Sequence, residues 1–270
     1  MGLLMEWYAA YFILGAFVGF FAGLFGIGGG LVLVPVLGFL FEAQHLTTQN
    51  NVHLLALGTS MAAIILSAAF SAYTHHKHDA VNFTIVRLLA PSMLLGAVLG
   101  TFLASYVSSV YLTIFFAIFV YFAALQMLLN IKPKPARQLP GHIGMTLVGS
   151  GIGAISSLVS IGGGTLSIPF MVRHNIPLNH AIGTSAALGI PIAVGGTIGY
   201  IVTGFTVSNL PPNTLGFVYL PALFLLAIGS VCTTPLGARA THRLPLKIVR
   251  RGFAILLLLL ATKMLFKVVI

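Results

Sequence analysis

Acidic side chains are almost missing from this chain of 270 residues: Glu6, Glu42 and Asp79 are the three. With 13 Lys and Arg, charged residues make up 6%, against about 25% in a soluble domain. That composition leaves no room for a soluble domain of any size, and 58% hydrophobic residues place the chain in a membrane. A single cysteine, Cys232, excludes an intramolecular disulfide, a zinc cluster and a dithiol redox pair. No Lys or Arg precedes the first apolar stretch and no A-x-A-like site follows it, so no cleaved signal peptide is expected. No Ser–His–Asp set, paired acids or nucleotide fingerprint is visible. Gly26–Gly30 lacks the strand context and the Lys-Ser/Thr end of a phosphate loop. The chain reads as non-enzymatic, without cofactor or metal. The net charge of +10 would suggest nucleic acid in a soluble protein, but here no nucleic-acid partner is expected and the charges report topology instead.

What is present is apolar runs of roughly 20 residues along the whole length, the pattern of membrane helices rather than of alternating barrel strands. The expected fold is an all-α integral membrane protein. It also repeats itself. Gly15–Pro35 (GAFVGFFAGLFGIGGGLVLVP) and Gly149–Pro169 (GSGIGAISSLVSIGGGTLSIP) share Gly15/Gly149, Gly19/Gly153, Ile27/Ile161, Pro35/Pro169 and the triplets Gly28-Gly29-Gly30 and Gly162-Gly163-Gly164, all at an offset of 134. Gly58-Thr59-Ser60 recurs as Gly183-Thr184-Ser185, and Gly100 to Met127-Leu128 has the length of Gly237 to Met264-Leu265. Each half is expected to hold a broken-helix hairpin and three spans: Tyr8–Phe41 with spans near His53–Tyr73, Leu88–Val107 and Tyr111–Asn130, then His142–Val172 with spans near Ala181–Gly204, Leu215–Ala238 and Ile248–Phe266. The halves are residues 1–130 and 142–270, joined by a cytoplasmic linker at 131–141.

Positive loops face the cytoplasm. In the first half the loop after the first full span carries Lys77 and Arg87, and the next loop, Val107–Val110, carries none. In the second half this reverses: Phe205–Thr214 has none and the next loop has Arg239, Arg243, Lys247, Arg250 and Arg251. Two halves of inverted topology explain the reversal. They put these residues inside with Lys132, Lys134, Arg137 and Arg173, leave Lys263 and Lys267 outside, and set both termini outside.

An apolar helix that breaks at three glycines and restarts must line a cavity or lie buried in protein, because unpartnered backbone in hydrocarbon is costly. Paired breaks in two halves are the strongest sequence pointer to a transporter's binding site. A restarting helix points N–H groups and its positive dipole end at the break, and such ends bind anions without charged side chains. Tight packing is the alternative, and it is the reading for Gly15, Gly19 and Gly23 and for Gly149 and Gly153 at four-residue spacing. The candidate substrate-binding residues are Ile27, Gly28, Gly29, Gly30, Thr59, Ser60, Ile161, Gly162, Gly163, Gly164, Thr165, Thr184 and Ser185. The hydroxyls of the two Gly-Thr-Ser segments either donate to substrate or back-bond to their own helix.

Other features read as structural. The tract from His75 to Asp79 is a solvated loop rather than a metal site, His53 and His180 lie near span ends, and Arg239–Arg251 anchors the chain on anionic lipid. Cys232 is expected in the core, and Pro91, Pro191 and Pro221 are expected to kink spans from within.

The paired glycine triplets each followed by Pro35 or Pro169, the two Gly-Thr-Ser segments and the basic stretch from Arg243 to Arg251 resemble the TauE/SafE family of membrane transporters. The resemblance spans nearly the whole chain. The second unit departs from the first at Ser157, Val159 and Ser160, where Gly23, Phe25 and Gly26 stand. The resemblance implies a multi-pass protein of the inner (plasma) membrane, exporting sulfite or an organosulfonate as a secondary transporter by alternating access. A passive anion channel on the same scaffold is the alternative. A small anion and membrane lipid are the expected partners, and self-association into a homo-oligomer stays open.

Overall fold

A computed structural model describes residues 2–25, 29–129, 138–240 and 246–269. Ile27 and Gly28 of the candidate site lie outside them, as do Lys132, Lys134, Arg137 and Arg243 of the charge pattern. Ten helices run through the described residues: α1 Gly2–Phe25, α2 Gly30–Ala43, α3 Gln49–His76, α4 Phe83–Tyr106, α5 Ser109–Leu129, α6 His142–Leu158, α7 Gly164–Arg173, α8 Leu178–Gly204, α9 Leu220–Ala240 and α10 Leu246–Val269. Each half therefore holds a broken pair and three long helices. Among the described residues six segments are long and apolar enough to cross a membrane: Met5–Phe25, α3, α4, α5, α8 and α9. α10 is also 24 residues long, with Arg250 and Arg251 toward one end and Lys263 and Lys267 toward the other.

Several boundaries differ from expectation. α4 starts at Phe83 rather than near Leu88 because Asn82 caps it, its side-chain oxygen accepting from the Ile85 N–H at 3.2 Å. The span expected from Leu215 starts at Leu220. Thr214 and Leu215 pair with Tyr219 and Val218 as a short hairpin, turned at Gly216 with φ 55°. Pro221 then falls in the first turn of α9, where a missing N–H breaks no helical bond, so it makes no kink, and Pro235 is the interior proline of that helix. Cys232 is exposed on α9, not in the core. His75 and His76 close the last turn of α3 instead of lying in a loop.

The halves are interleaved. α1 packs on α9 and α6 on α4. The four-spaced glycines make both contacts: a Cβ at Gly15, Gly19 or Gly23 would overlap Leu226, Ser230 or Thr234, and one at Gly153 would overlap Met93. Small residues let helix backbones close to such distances. α3 and α8 sit together at the centre and run antiparallel. Gly183, near the start of α8, abuts Ala80 just past the end of α3, while Gly58, near the start of α3, abuts Phe217, which also touches Gly204 at the end of α8. At that second end Tyr11, Phe41 and Tyr219 meet edge-to-face, with centroids 5.6–6.5 Å apart, and Gln44 donates to the Tyr11 hydroxyl at 2.6 Å.

Candidate functional site

Both glycine breaks have one backbone geometry. Gly29 caps α2 at φ 74°, ψ −8°, and Gly163 caps α7 at φ 80°, ψ −16°. Glycine takes this left-handed conformation without the penalty that a Cβ brings. Each cap carbonyl is taken by its helix: Gly29 accepts from the N–H groups of Val32 and Leu33 at 3.2 Å, and Gly163 from Leu166 and Ser167 at 3.1 and 2.8 Å. The N–H groups of Gly30 and Leu31, and of Gly164 and Thr165, find no acceptor among the described residues. Residues 29–35 and 159–165 are buried, so these are helix ends that water does not satisfy.

The last turn of α6 ends in a Schellman cap. The Ile161 N–H reaches the Ser156 carbonyl at 2.9 Å and the Ser160 N–H reaches Ser157 at 3.4 Å. Ser160 holds the left-handed position at φ 48°, where the first half has Gly26. Its hydroxyl donates to the Leu57 carbonyl of α3 at 3.2 Å, and Tyr200 of α8 donates to the Ser157 carbonyl at 2.9 Å.

The two breaks touch. A Cβ on Gly30 would overlap the Ser160 carbonyl and lie 3.1 Å from Ile64, and one on Gly189 of α8 would lie 2.9 Å from the Gly162 carbonyl. Gly29, Gly30, Ile161, Gly162, Gly163, Gly164 and Thr165 thus gather between α3 and α8. Ser60 joins them, since Leu57, Ser60 and Ile64 share one helical face. The buried hydroxyls of Ser60, Thr165 and Ser156 have no hydrogen-bond partner among the described residues. A cavity of about 10 Å³ touches the second break, lined by Ser67, Ala68 and Ser71 of α3, Gly162, Ala22, Ala186 and Gly189. It holds about one water and no larger ligand.

The other three candidates have partners. Thr59 accepts the Tyr219 N–H and Thr184 accepts the Asn82 N–H, while Ser185 back-bonds to the Ile182 carbonyl at 2.8 Å. Sequence reasoning missed Ser156, Ser160 and Tyr200. The substitution of Ser160 for a repeat glycine was the visible signal for one of them. His180 is exposed, but His53 is buried. Among the described residues no three His, Cys, Asp or Glu converge on a metal position.

The sulfite exporter TauE/SafE family matches residues 11–264. A probable membrane transporter protein of Haemophilus influenzae is 36% identical over 260 residues, covering 94% of this chain and 97% of its own. Probable membrane transporter proteins of Bacillus subtilis and Methanocaldococcus jannaschii are each 26% identical; the matches cover 87% and 88% of this chain, and 89% and 88% of theirs. No solved structure matches. With a buried, helix-broken centre inside a bundle of membrane-length helices, the chain is a multi-pass membrane transporter and belongs to the sulfite exporter TauE/SafE family.

Proposed function

We propose that the chain is a secondary transporter exporting a small sulfur oxyanion or short organosulfonate across the inner (plasma) membrane. In this reading two halves of opposite membrane orientation hold the anion at their glycine breaks and expose it alternately to either side. The observation that carries it is the matched pair of buried left-handed glycine caps, each leaving two helix-start N–H groups without an acceptor among the described residues. Each helix end supplies about half a positive charge, so two suit an anion of charge −1 or −2. Ser60 and Thr165 add hydroxyl donors that have no partner among the described residues. No Asp or Glu lies in the middle of a span, which disfavours a cation carrier. The antiparallel α3 and α8, and the paired contacts at Gly58 and Gly183, support the inverted orientation.

A carrier is favoured over a channel because the cavity beside the second break is only about 10 Å³, so passage needs a conformational change. Flux of sulfite and methanesulfonate in proteoliposomes tests the reading. Saturable flux that is lost in Gly29→Val and Gly163→Val, with both variants purifying as folded protein, is the expected result. Normal flux by both would make the glycines packing residues only.

A further inference from the structure

Away from the breaks, a cavity of about 230 Å³ opens where α10 ends, between the end of α2 and the starts of α3 and α5. Glu42, His53 and Lys267 are the ionisable residues lining it, and α5 contributes none, offering Ser109, Val110 and Thr113. The Lys267 ammonium pairs with the Glu42 carboxylate. One turn earlier on α10, the Lys263 ammonium lies 4.3 Å over the ring of Phe39, another lining residue. His53 is 6% exposed, packs edge-on against Phe116, and its Nε2 has no partner among the described residues.

Two observations otherwise unexplained meet in this cavity. Lys263 and Lys267 are the two cations that the positive-inside pattern strands on the outer side. The Nε2 of His53 is a buried polar atom with no partner among the described residues, which folding normally avoids. His53 also shares its face of α3 with Leu57, Ser60 and Ile64, at spacings of four, three and four residues. Leu57 holds Ser160 and Ile64 adjoins Gly30. His53 thus stands one helical turn from the breaks, on the side of the cavity.

We propose that this cavity is an outer station of the transport path, where Lys267 and His53 bind one small oxyanion and His53 takes up a proton as the anion enters. The proposal rests on the anion-transport reading above. The Glu42–Lys267 pair is partly exposed, and such pairs are weak, so an arriving anion competes with Glu42 for Lys267. Three groups then share the cavity: the anion and Glu42, both negative, and Lys267, positive. A proton from water or buffer on the Nε2 lone pair of His53 restores the balance, since a buried uncompensated charge is costly. Anion and proton therefore move together, which gives the transporter a coupling ion without a mid-span carboxylate.

The test is calorimetric titration of the purified full-length chain with methanesulfonate near neutral pH, in two buffers of different ionisation enthalpy. Heats that differ between the buffers in the sense of proton uptake are expected. Glu42→Gln should tighten binding severalfold by freeing Lys267, and Lys267→Gln should weaken it about tenfold or more. His53→Gln should abolish the buffer dependence while anion binding remains. In Gly163→Val, where the break reading predicts no flux, this binding should persist, which separates the two claims. Buffer-independent heats in the unmodified protein, equal affinities in Glu42→Gln and Lys267→Gln, or no methanesulfonate binding at all would overturn the proposal. The buffer comparison decides the proton claim even if His53→Gln does not fold.

Discussion

The Thr59 hydroxyl oxygen accepts the backbone N–H of Tyr219 at 3.0 Å, across 160 residues of sequence. Its repeat partner Thr184 accepts the backbone N–H of Asn82 at 2.9 Å. In both cases a threonine in a central helix of one half ties down the start of a helix in the other half. The two donors are 137 residues apart, the same offset that relates Gly100 to Gly237. These threonines hold the halves together whether or not they meet substrate.

The first prediction follows from that bond. Thr59→Val or Thr184→Val leaves a part-buried N–H without its acceptor, at a cost of about 1–3 kcal/mol. Thermal unfolding should shift downward in both variants, and Thr→Ser should restore it. Transport should be retained, with apparent affinity weakened about tenfold or less. Unchanged unfolding in both valine variants would contradict the tie.

Ser160 carries the second. As glycine it would escape a left-handed penalty of roughly 1–2 kcal/mol but lose a bond to Leu57 worth roughly 0.5–1.5 kcal/mol. The two nearly cancel. Ser160→Gly should therefore unfold within a few degrees of the native chain, whereas Ser160→Val, β-branched at φ 48°, should be clearly less stable. A Ser160→Val variant as stable as Ser160→Gly would show that the backbone there is not left-handed in the membrane.

Topology supplies the third. Thr47 donates to the Asn209 carbonyl at 2.8 Å, and Ser109 lines one cavity with Gln49 and Lys267. The loops at 47, 108 and 209 therefore lie at one end of the molecule, opposite the Arg250 and Arg251 end of α10. Single cysteines placed at Ser108 and Asn209 in a Cys232→Ala background should be labelled from outside, and those at Lys134 and Leu246 from inside. Labelling of positions 108 and 209 from opposite sides would rule out the inverted arrangement.

The parts of the fold written in backbone chemistry were legible beforehand. Gly29 and Gly163 occupy left-handed caps that only their residue type predicts, and the four-spaced Gly15, Gly19 and Gly23 pack where that spacing puts them. Side-chain surroundings were not legible. On α9 the small and polar Gly229, Ser230, Thr233, Thr234 and Gly237 form the stripe that packs on α1, and Cys232 lies off that stripe among apolar residues that look alike whether they face core or lipid. Residues 215–220 read as the start of a span because five of the six are apolar, although Asn213 and Gly216 carry the turn. In sequence Thr59 and Thr184 read as substrate donors or back-bonded hydroxyls, yet each accepts a loop N–H from the other half. That partner lies more than 100 residues away and leaves no local trace. His53 and His180 look equivalent in sequence, but only His53 faces a cavity, because α2, α5 and α10 close around it.

Counterflow in proteoliposomes tests the central claim most directly. Vesicles loaded with unlabelled sulfite should draw in labelled sulfite transiently above its equilibrium level. Short sulfonates should compete, sodium should not, and the overshoot should vanish in Gly163→Val. Monotonic, non-saturating equilibration without overshoot, or saturable sodium transport that no oxyanion inhibits, would contradict an anion carrier built on the two glycine breaks.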